Sequence, residues 1–133
     1  MIKVEGKVFK TMIQEAVSKN SHGAFVEVKE DYSEYECYTS ETGLYGMAIA
    51  KDGDIVSVFK NPDSQEKGVA DILIGFAKEK GGKKLDCFDG FLSKLYSKLG
   101  FKEKARMAWD DQYAPKNWNY ERDGRPDVIM MEL

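Results

Sequence analysis

Between Val8 and Lys19 the apolar residues Phe9, Met12, Ile13, Ala16 and Val17 recur at helical intervals, and the turn cluster Asn20-Ser21-His22-Gly23 closes the run. This spacing predicts an amphipathic helix with one face reserved for a core. From Ala24 to Lys29 the period shortens, Phe25 and smaller apolar residues alternating with Glu27 and Lys29, and Tyr35 to Tyr38 continues in residues that favour extended backbone. Both segments read as strands. Two further apolar runs, Leu44 to Ala50 and Asp54 to Lys60, flank Lys51-Asp52-Gly53, where Asp-Gly supplies the positive φ angles of a tight hairpin turn. Pro62 in Asn61-Pro62-Asp63-Ser64 cannot donate to a ladder, so the second run must end there.

Beyond that loop, Val69, Ile72, Leu73, Phe76 and Ala77 mark a second helix stopped by Gly81-Gly82, and Lys83 to Phe88 reads as a short strand. A third helix runs from about Gly90 to Leu99, with Leu92, Leu95, Tyr96 and Leu99 on one face and Gly100 as its stop. The closing strands fall at roughly Lys104 to Trp109 and Asp127 to Leu133, joined by a long polar connection carrying Tyr113, Trp118 and Tyr120. Unstructured connections of more than about 12 residues are unusual and often functional. The order of elements predicts an α/β (α+β) fold, a mixed, mostly antiparallel central sheet with helices on both faces. No repeat or low-complexity linker divides the chain, and its 133 residues with 42% hydrophobic content suit a single domain spanning positions 1–133.

Composition narrows the function. Apolar residues are interleaved with charge, and no stretch approaches the roughly 18 to 20 apolar residues a membrane span needs. Met1 to Lys10 lacks the apolar core of a secretory signal, which gives an expectation of a cytoplasmic protein without membrane partners. Twenty basic against 23 acidic residues leave a net charge of -3 with no long basic run, which disfavours nucleic acid. Cys37 and Cys87 lack a CxxC spacing and read as reduced thiols. His22, the one histidine, sits in a turn cluster and reads as a solvated loop residue, so neither a metal site nor a Ser-His-Asp triad is expected.

The informative segment is Gln65-Glu66-Lys67-Gly68-Val69-Ala70, between a strand that ends at Pro62 and a helix that begins near Val69. A helix N-terminus presents unpaired N–H groups and a partial positive charge, and so can hold a pyrophosphate without any side chain. Gly68 permits close backbone approach, Ala70 is small enough to keep that approach open, and Lys67 can add a cation. Alternatively, Gly68 merely shapes a loop and Ala70 is an ordinary helix former. Neither a Walker A loop nor the three-glycine dinucleotide fingerprint is present.

Taken with Leu95-Tyr96-Ser97-Lys98-Leu99-Gly100-Phe101, the segment resembles the GNAT N-acetyltransferase superfamily. That family's acetyl-CoA signature is a proline three residues before Arg or Gln, then two residues, Gly, one residue, and Gly or Ala; here it reads Pro62, Gln65, Gly68 and Ala70. The helical LYxxLGF ending matches too, and the resemblance covers at least Leu44 to Phe101. It implies that the backbone of Val58, Phe59 and Lys60 pairs with the pantetheine arm, that Gln65, Glu66, Lys67, Gly68, Val69 and Ala70 hold the pyrophosphate, and that Tyr96 faces the CoA sulfur as general acid. Three departures stand out. Gln65 replaces a commoner Arg, Ala70 a commoner Gly, and Asp89, which the resemblance implies as a further cofactor contact, stands where Asn is frequent.

The expected activity is acetyl transfer from acetyl-CoA to an amine of an unidentified small molecule, peptide or protein. The alternative from another class is a GNAT-like module that binds acyl-CoA or a protein partner without catalysis. No general base can be singled out among Asp54, Asp86, Asp89, Asp110 and Asp111, most acidic residues being simply solvated. For the acceptor, the connection between Trp109 and Asp127 offers Asp110, Asp111 and Glu121 to attract a cation, with Tyr113, Trp118 and Tyr120 as flat apolar walls. The other reading of the same aromatics is a satellite core or a homodimer contact.

Overall fold

The computed structural model describes residues 1–133 and divides the chain into two compact units, Met1–Gly82 and Lys83–Leu133. In the first unit, strands β1 (Ile2–Val4), β2 (Tyr35–Thr39), β3 (Tyr45–Ala50) and β4 (Ile55–Lys60) form an antiparallel sheet in that order. Helix α1 (Gly6–Lys19) joins β1 to the β2 region, and α2 (Val69–Glu79) follows β4. Because side chains alternate across a strand, neighbours on β2 face opposite ways. Cys37 joins a core with Phe9, Ile13 and Ala16 of α1, whereas Tyr38 meets Phe76 of α2 edge to face at 4.9 Å. The two helices therefore cover opposite faces. Phe9 and Ile13 are wholly buried, and each contributes about 1.5–3 kcal/mol by leaving water.

The hairpin between β3 and β4 has the expected loop but not the expected dihedrals. Gly53 alone is left-handed, at φ +87°, and Gly53 N–H donates to Ala50 O while Ala50 N–H donates to Asp54 O. This is a three-residue loop in which one glycine suffices. Within the second helix the buried set also differs. Val69, Leu73, Ile74 and Ala77 point inward, while Ile72 is exposed.

The strand expected over Ala24 to Lys29 does not form. Gly23–Phe25 is a short 3-10 turn followed by irregular backbone, and β2 has both its edges taken, by β1 and β3. The segment joins neither free edge, at β1 or at β4, and is held instead by Lys29 N–H donating to the Tyr32 hydroxyl and by the Ser57 hydroxyl donating to Glu27 O. The short strand β1, too brief to show a period, pairs Ile2, Lys3 and Val4 with Thr39, Tyr38 and Cys37.

The second unit contains β5 (Lys84–Phe88), α3 (Phe91–Lys98), β6 (Lys102–Met107), a 3-10 turn (Asp111–Tyr113), α4 (Tyr120–Asp123) and β7 (Val128–Glu132). Its antiparallel sheet has the order β5-β7-β6. The penultimate strand starts and ends about two residues earlier than the sequence suggests, so Trp109 lies beyond it. The long connection is not structureless, since it holds both the 3-10 turn and α4. Edge strand β6 is exposed along its whole length and carries Lys102, Glu103, Lys104 and Arg106, charges that discourage edge-to-edge pairing. No helix is long and apolar enough to cross a membrane.

Candidate functional site

Strand β4 ends its sheet, with β3 on one side only. Gly46 pairs with Phe59 and Ala48 with Val56, so Ser57 and Val58 together oppose Met47 in a β-bulge. The extra residue lets Val56 and Phe59, three apart, both pack on the α1 face. Ser57 sits at φ +54°, a conformation that costs an L-residue about 1–2 kcal/mol. Of the three residues expected along the pantetheine arm, Val58 is half-buried, Phe59 is buried against Phe9 at 5.5 Å, and Lys60 is exposed.

The chain leaves β4 through a tight turn. Asn61, 2% exposed, donates its N–H to Leu44 O and accepts from Asp63 N–H through Oδ1. Lys19 at the end of α1 bridges to Asp63 at 2.7 Å and to Glu15 at 3.2 Å, which fastens the turn to the first helix. Next, Glu66 accepts a hydrogen bond from the Tyr45 hydroxyl at 2.7 Å, so the middle of the loop is tied to β3. Gln65, Lys67 and Gly68 are exposed, Val69 is buried and Ala70 is half-buried.

Helix α2 then opens on Gly68 at φ +70° and ψ 26°, with no side chain capping it. Ile72 N–H donates to Gly68 O at 3.1 Å to close the first turn, and the N–H groups before it have no partner within the helix. A Cβ built on Gly68 would meet only Asp71 Oδ2, at 4.0 Å. The exposed end of α2 thus offers backbone donors and the positive end of a helix dipole to an anion. Asp71 shares that turn and opposes a second anion, while Lys67, directly before Gly68, adds a cation.

In the second unit, Tyr96 lies on α3 with 7% exposure and stacks edge to face with Phe101 at 6.2 Å. No protein group hydrogen-bonds its hydroxyl, and every fully enclosed side-chain oxygen or nitrogen has a partner, so that hydroxyl keeps contact with the surface. Burial and, less strongly, the nearby Cys87 push its pKa up to about 12. Asp89 lies where β5 leads into α3. Its carboxylate receives Arg106 at 3.0 Å and the Ser93 hydroxyl at 3.2 Å, and Arg106, with Ser93 next, holds it below the usual carboxylate range. Arg106 also binds Glu103 and Asp127, so this aspartate already belongs to an ion network.

The connection after Trp109 folds on itself. Trp118, 8% exposed, packs on Phe88 at 4.9 Å and Trp109 at 4.8 Å, and its Nε1 donates to Gly124 O. Asp111 receives Trp109 Nε1 at 2.8 Å and both Tyr120 and Arg125 at 3.1 Å, and these donors, the indole first, hold its pKa down. Asp110 caps the 3-10 turn through Gln112 N–H. Tyr113 is 78% exposed and stands apart from this cluster. The aromatics that suggested a binding wall thus divide into a packed set around Trp118 and one open ring, Tyr113. The bulge at Ser57 and its partners escaped the sequence reading. A polar residue in the middle of Ile55-Val56-Ser57-Val58-Phe59 was the one available signal.

No protein-family model matches the chain, and no curated protein does so. Among solved structures, an IAA acetyltransferase from Bacillus cereus ATCC 14579 aligns with a TM-score of 0.63 at 16% identity, over 99% of this chain and 97% of its own. An acetyltransferase from Bacillus subtilis, solved in complex with CoA, gives 0.54 at 20% identity over 77% of this chain and 80% of its own. A ribosomal-protein-alanine N-acetyltransferase from Brucella melitensis gives 0.54 at 10% identity over 100% of this chain and 99% of its own. The chain has the GNAT acetyltransferase fold that its two motifs implied.

Proposed function

We propose that the protein is an acetyl-CoA-dependent N-acetyltransferase acting on an amine. One observation carries the reading: a sheet-ending strand runs through a short loop into a helix N-terminus that no side chain caps and that a left-handed glycine immediately precedes. Gly68, Val69 and Ala70 would receive the pyrophosphate of acetyl-CoA on backbone N–H groups, with Lys67 adding charge. Val58, Phe59 and Lys60 would offer their backbone to the amides of the pantetheine arm, as an added strand would. The likeness to a CoA-bound acetyltransferase structure supports this cofactor.

The reaction needs a neutral amine nitrogen to attack the thioester carbonyl carbon. A C–N bond forms, the C–S bond breaks, the nitrogen releases a proton to water, and the departing sulfur gains hydrogen-bond support or a proton. Tyr96 fits that last task. With a pKa pushed up to about 12 its phenol stays protonated at working pH, and as a weak acid it serves chiefly by hydrogen-bonding the developing thiolate. The acceptor side is assigned to the open ring of Tyr113 with the neighbouring acidic connection, where an exposed aromatic face can meet a cationic amine. In this reading Asp111 orients the connection through its three donors, and Trp118 supports the wall from beneath.

Thermal melts with acetyl-CoA test the reading. A ligand that binds only the folded chain at a hundredfold excess over its Kd adds about 2.7 kcal/mol, a shift of several degrees. No shift with acetyl-CoA or CoA overturns the proposal. A shift without acetyl transfer to any amine in a broad screen would favour the binding-module alternative.

A further inference from the structure

We propose that Tyr32 and Ser57 form a positioning clamp for the thioester end of acetyl-CoA, an inference that rests on the reading of β4 and its following loop given above. The direction of the cofactor follows from that reading. If the pyrophosphate is held at Gln65 to Ala70, beyond the C-terminal end of β4, and the arm pairs with Val58 to Lys60, its thioester end lies toward Ser57. That is where the strand bulges and where the chain holds a non-glycine residue at φ +54°. Such a conformation persists only when its surroundings impose it.

The surroundings here are a hydrogen-bond relay. Lys29 N–H donates to the Tyr32 hydroxyl at 3.0 Å, and the Ser57 hydroxyl donates to Glu27 O at 2.7 Å. The Tyr32 proton is therefore left to bridge to Ser57 Oγ, at 2.8 Å. Tyr32 is 2% exposed, its ring held edge to face by Phe9 at 4.9 Å and by Tyr35 at 5.8 Å, so the hydroxyl has little freedom. The residues after the 3-10 turn belong to no ladder, and the relay fastens two of their backbone groups to the bulge. One chain of donors thus fixes both the bulge and the Glu27–Lys29 segment beside it. Because misplacing reacting atoms by about 1 Å can cost about 100-fold in rate, a clamp at this end of the arm acts on geometry more than on affinity.

Carbonyl-labelled [1-13C]acetyl-CoA bound to the full chain reads this directly. Tyr32→Phe keeps the ring and removes the relay's central hydroxyl; Ser57→Gly removes the other hydroxyl while admitting the positive φ, so the bulge survives even if the first variant folds poorly. The expected result is a shifted or broadened bound carbonyl resonance in both variants. The 31P pyrophosphate signals should be unmoved, with Kd within about threefold of the wild type, a change of about 0.7 kcal/mol or less. The double variant should change no more than either single one, because both cut the same relay. An unmoved carbonyl resonance in folded variants that bind acetyl-CoA overturns the clamp and leaves the cofactor loop standing. Failure of the wild type to bind acetyl-CoA overturns the loop assignment, and the clamp with it.

Discussion

Two alanine substitutions in one helix region should act in opposite directions. Gly68 holds φ +70°, and a Cβ there meets nothing closer than Asp71 Oδ2 at 4.0 Å, so Gly68→Ala introduces strain without a protein clash. A left-handed L-residue costs about 1–2 kcal/mol. Gly75 lies inside α2 on its exposed side, with no atom within 4 Å of a built Cβ and no positive φ, so Gly75→Ala gains about 0.5–1 kcal/mol from helix propensity. The variants should differ by about 1.5–3 kcal/mol, or roughly 5–15 °C in Tm for a chain of this size. Differential scanning calorimetry reads that gap. Isothermal titration with acetyl-CoA should give a Kd at least tenfold weaker for Gly68→Ala and unchanged for Gly75→Ala, since only the former places a methyl group and altered backbone among the N–H donors. Equal affinities in the two variants would refute the loop as the pyrophosphate site; equal stabilities would refute the conformational argument.

Tyr96→Phe should leave acetyl-CoA affinity nearly unchanged and lower turnover by roughly 10- to 1000-fold, with unreduced kcat on a good acceptor counting against the role. Because burial raises the Tyr96 pKa from 10.0 to about 12, its contribution to stability is full below pH 10 and is lost as pH rises from 10 toward 12. Wild-type Tm should fall more steeply across that interval than the Tm of Tyr96→Phe. Trp118→Ala, emptying a site packed by Phe88 and Trp109, should cost about 3–5 kcal/mol in a denaturant melt. Tyr113→Ala should instead leave Tm unmoved and raise the acceptor KM several-fold; an unaltered KM would remove this ring from the acceptor site.

Much of the fold was legible because helices of eleven or more residues repeat their apolar face several times, as α1 does with Phe9, Ile13 and Ala16. The hairpin was legible for a different reason, a glycine placed where the chain must turn left-handed. What failed was decided by partners remote in sequence. Ala24 to Lys29 has a strand-like pattern, but Phe25 and Val26 N–H close a 3-10 turn on His22 O and Gly23 O, and Lys29 N–H and Glu27 O are taken by the Tyr32 and Ser57 hydroxyls. Single-sequence patterning does not show which remote side chains take up a segment's backbone hydrogen bonds. The loop after β4 was legible as a loop because Pro62 cannot continue a ladder and Gly68 stands where the backbone turns left-handed, at φ +70°, whereas its assignment to a cofactor came from the resemblance of Pro62, Gln65, Gly68 and Ala70 to a family signature. The connection from Trp109 to Asp127 was not legible, since composition cannot distinguish an indole packed like Trp118 from a ring left open like Tyr113.

The central claim is that backbone N–H groups at the start of α2 hold the pyrophosphate of acetyl-CoA. Amide chemical shifts of the 15N-labelled chain, followed through a titration with acetyl-CoA, test it residue by residue. The account predicts saturable changes that are largest at Lys67, Gly68, Val69 and Ala70, with downfield movement of amides that gain a phosphate acceptor. Saturable binding that leaves these four amides unmoved, or no binding at all, would contradict it.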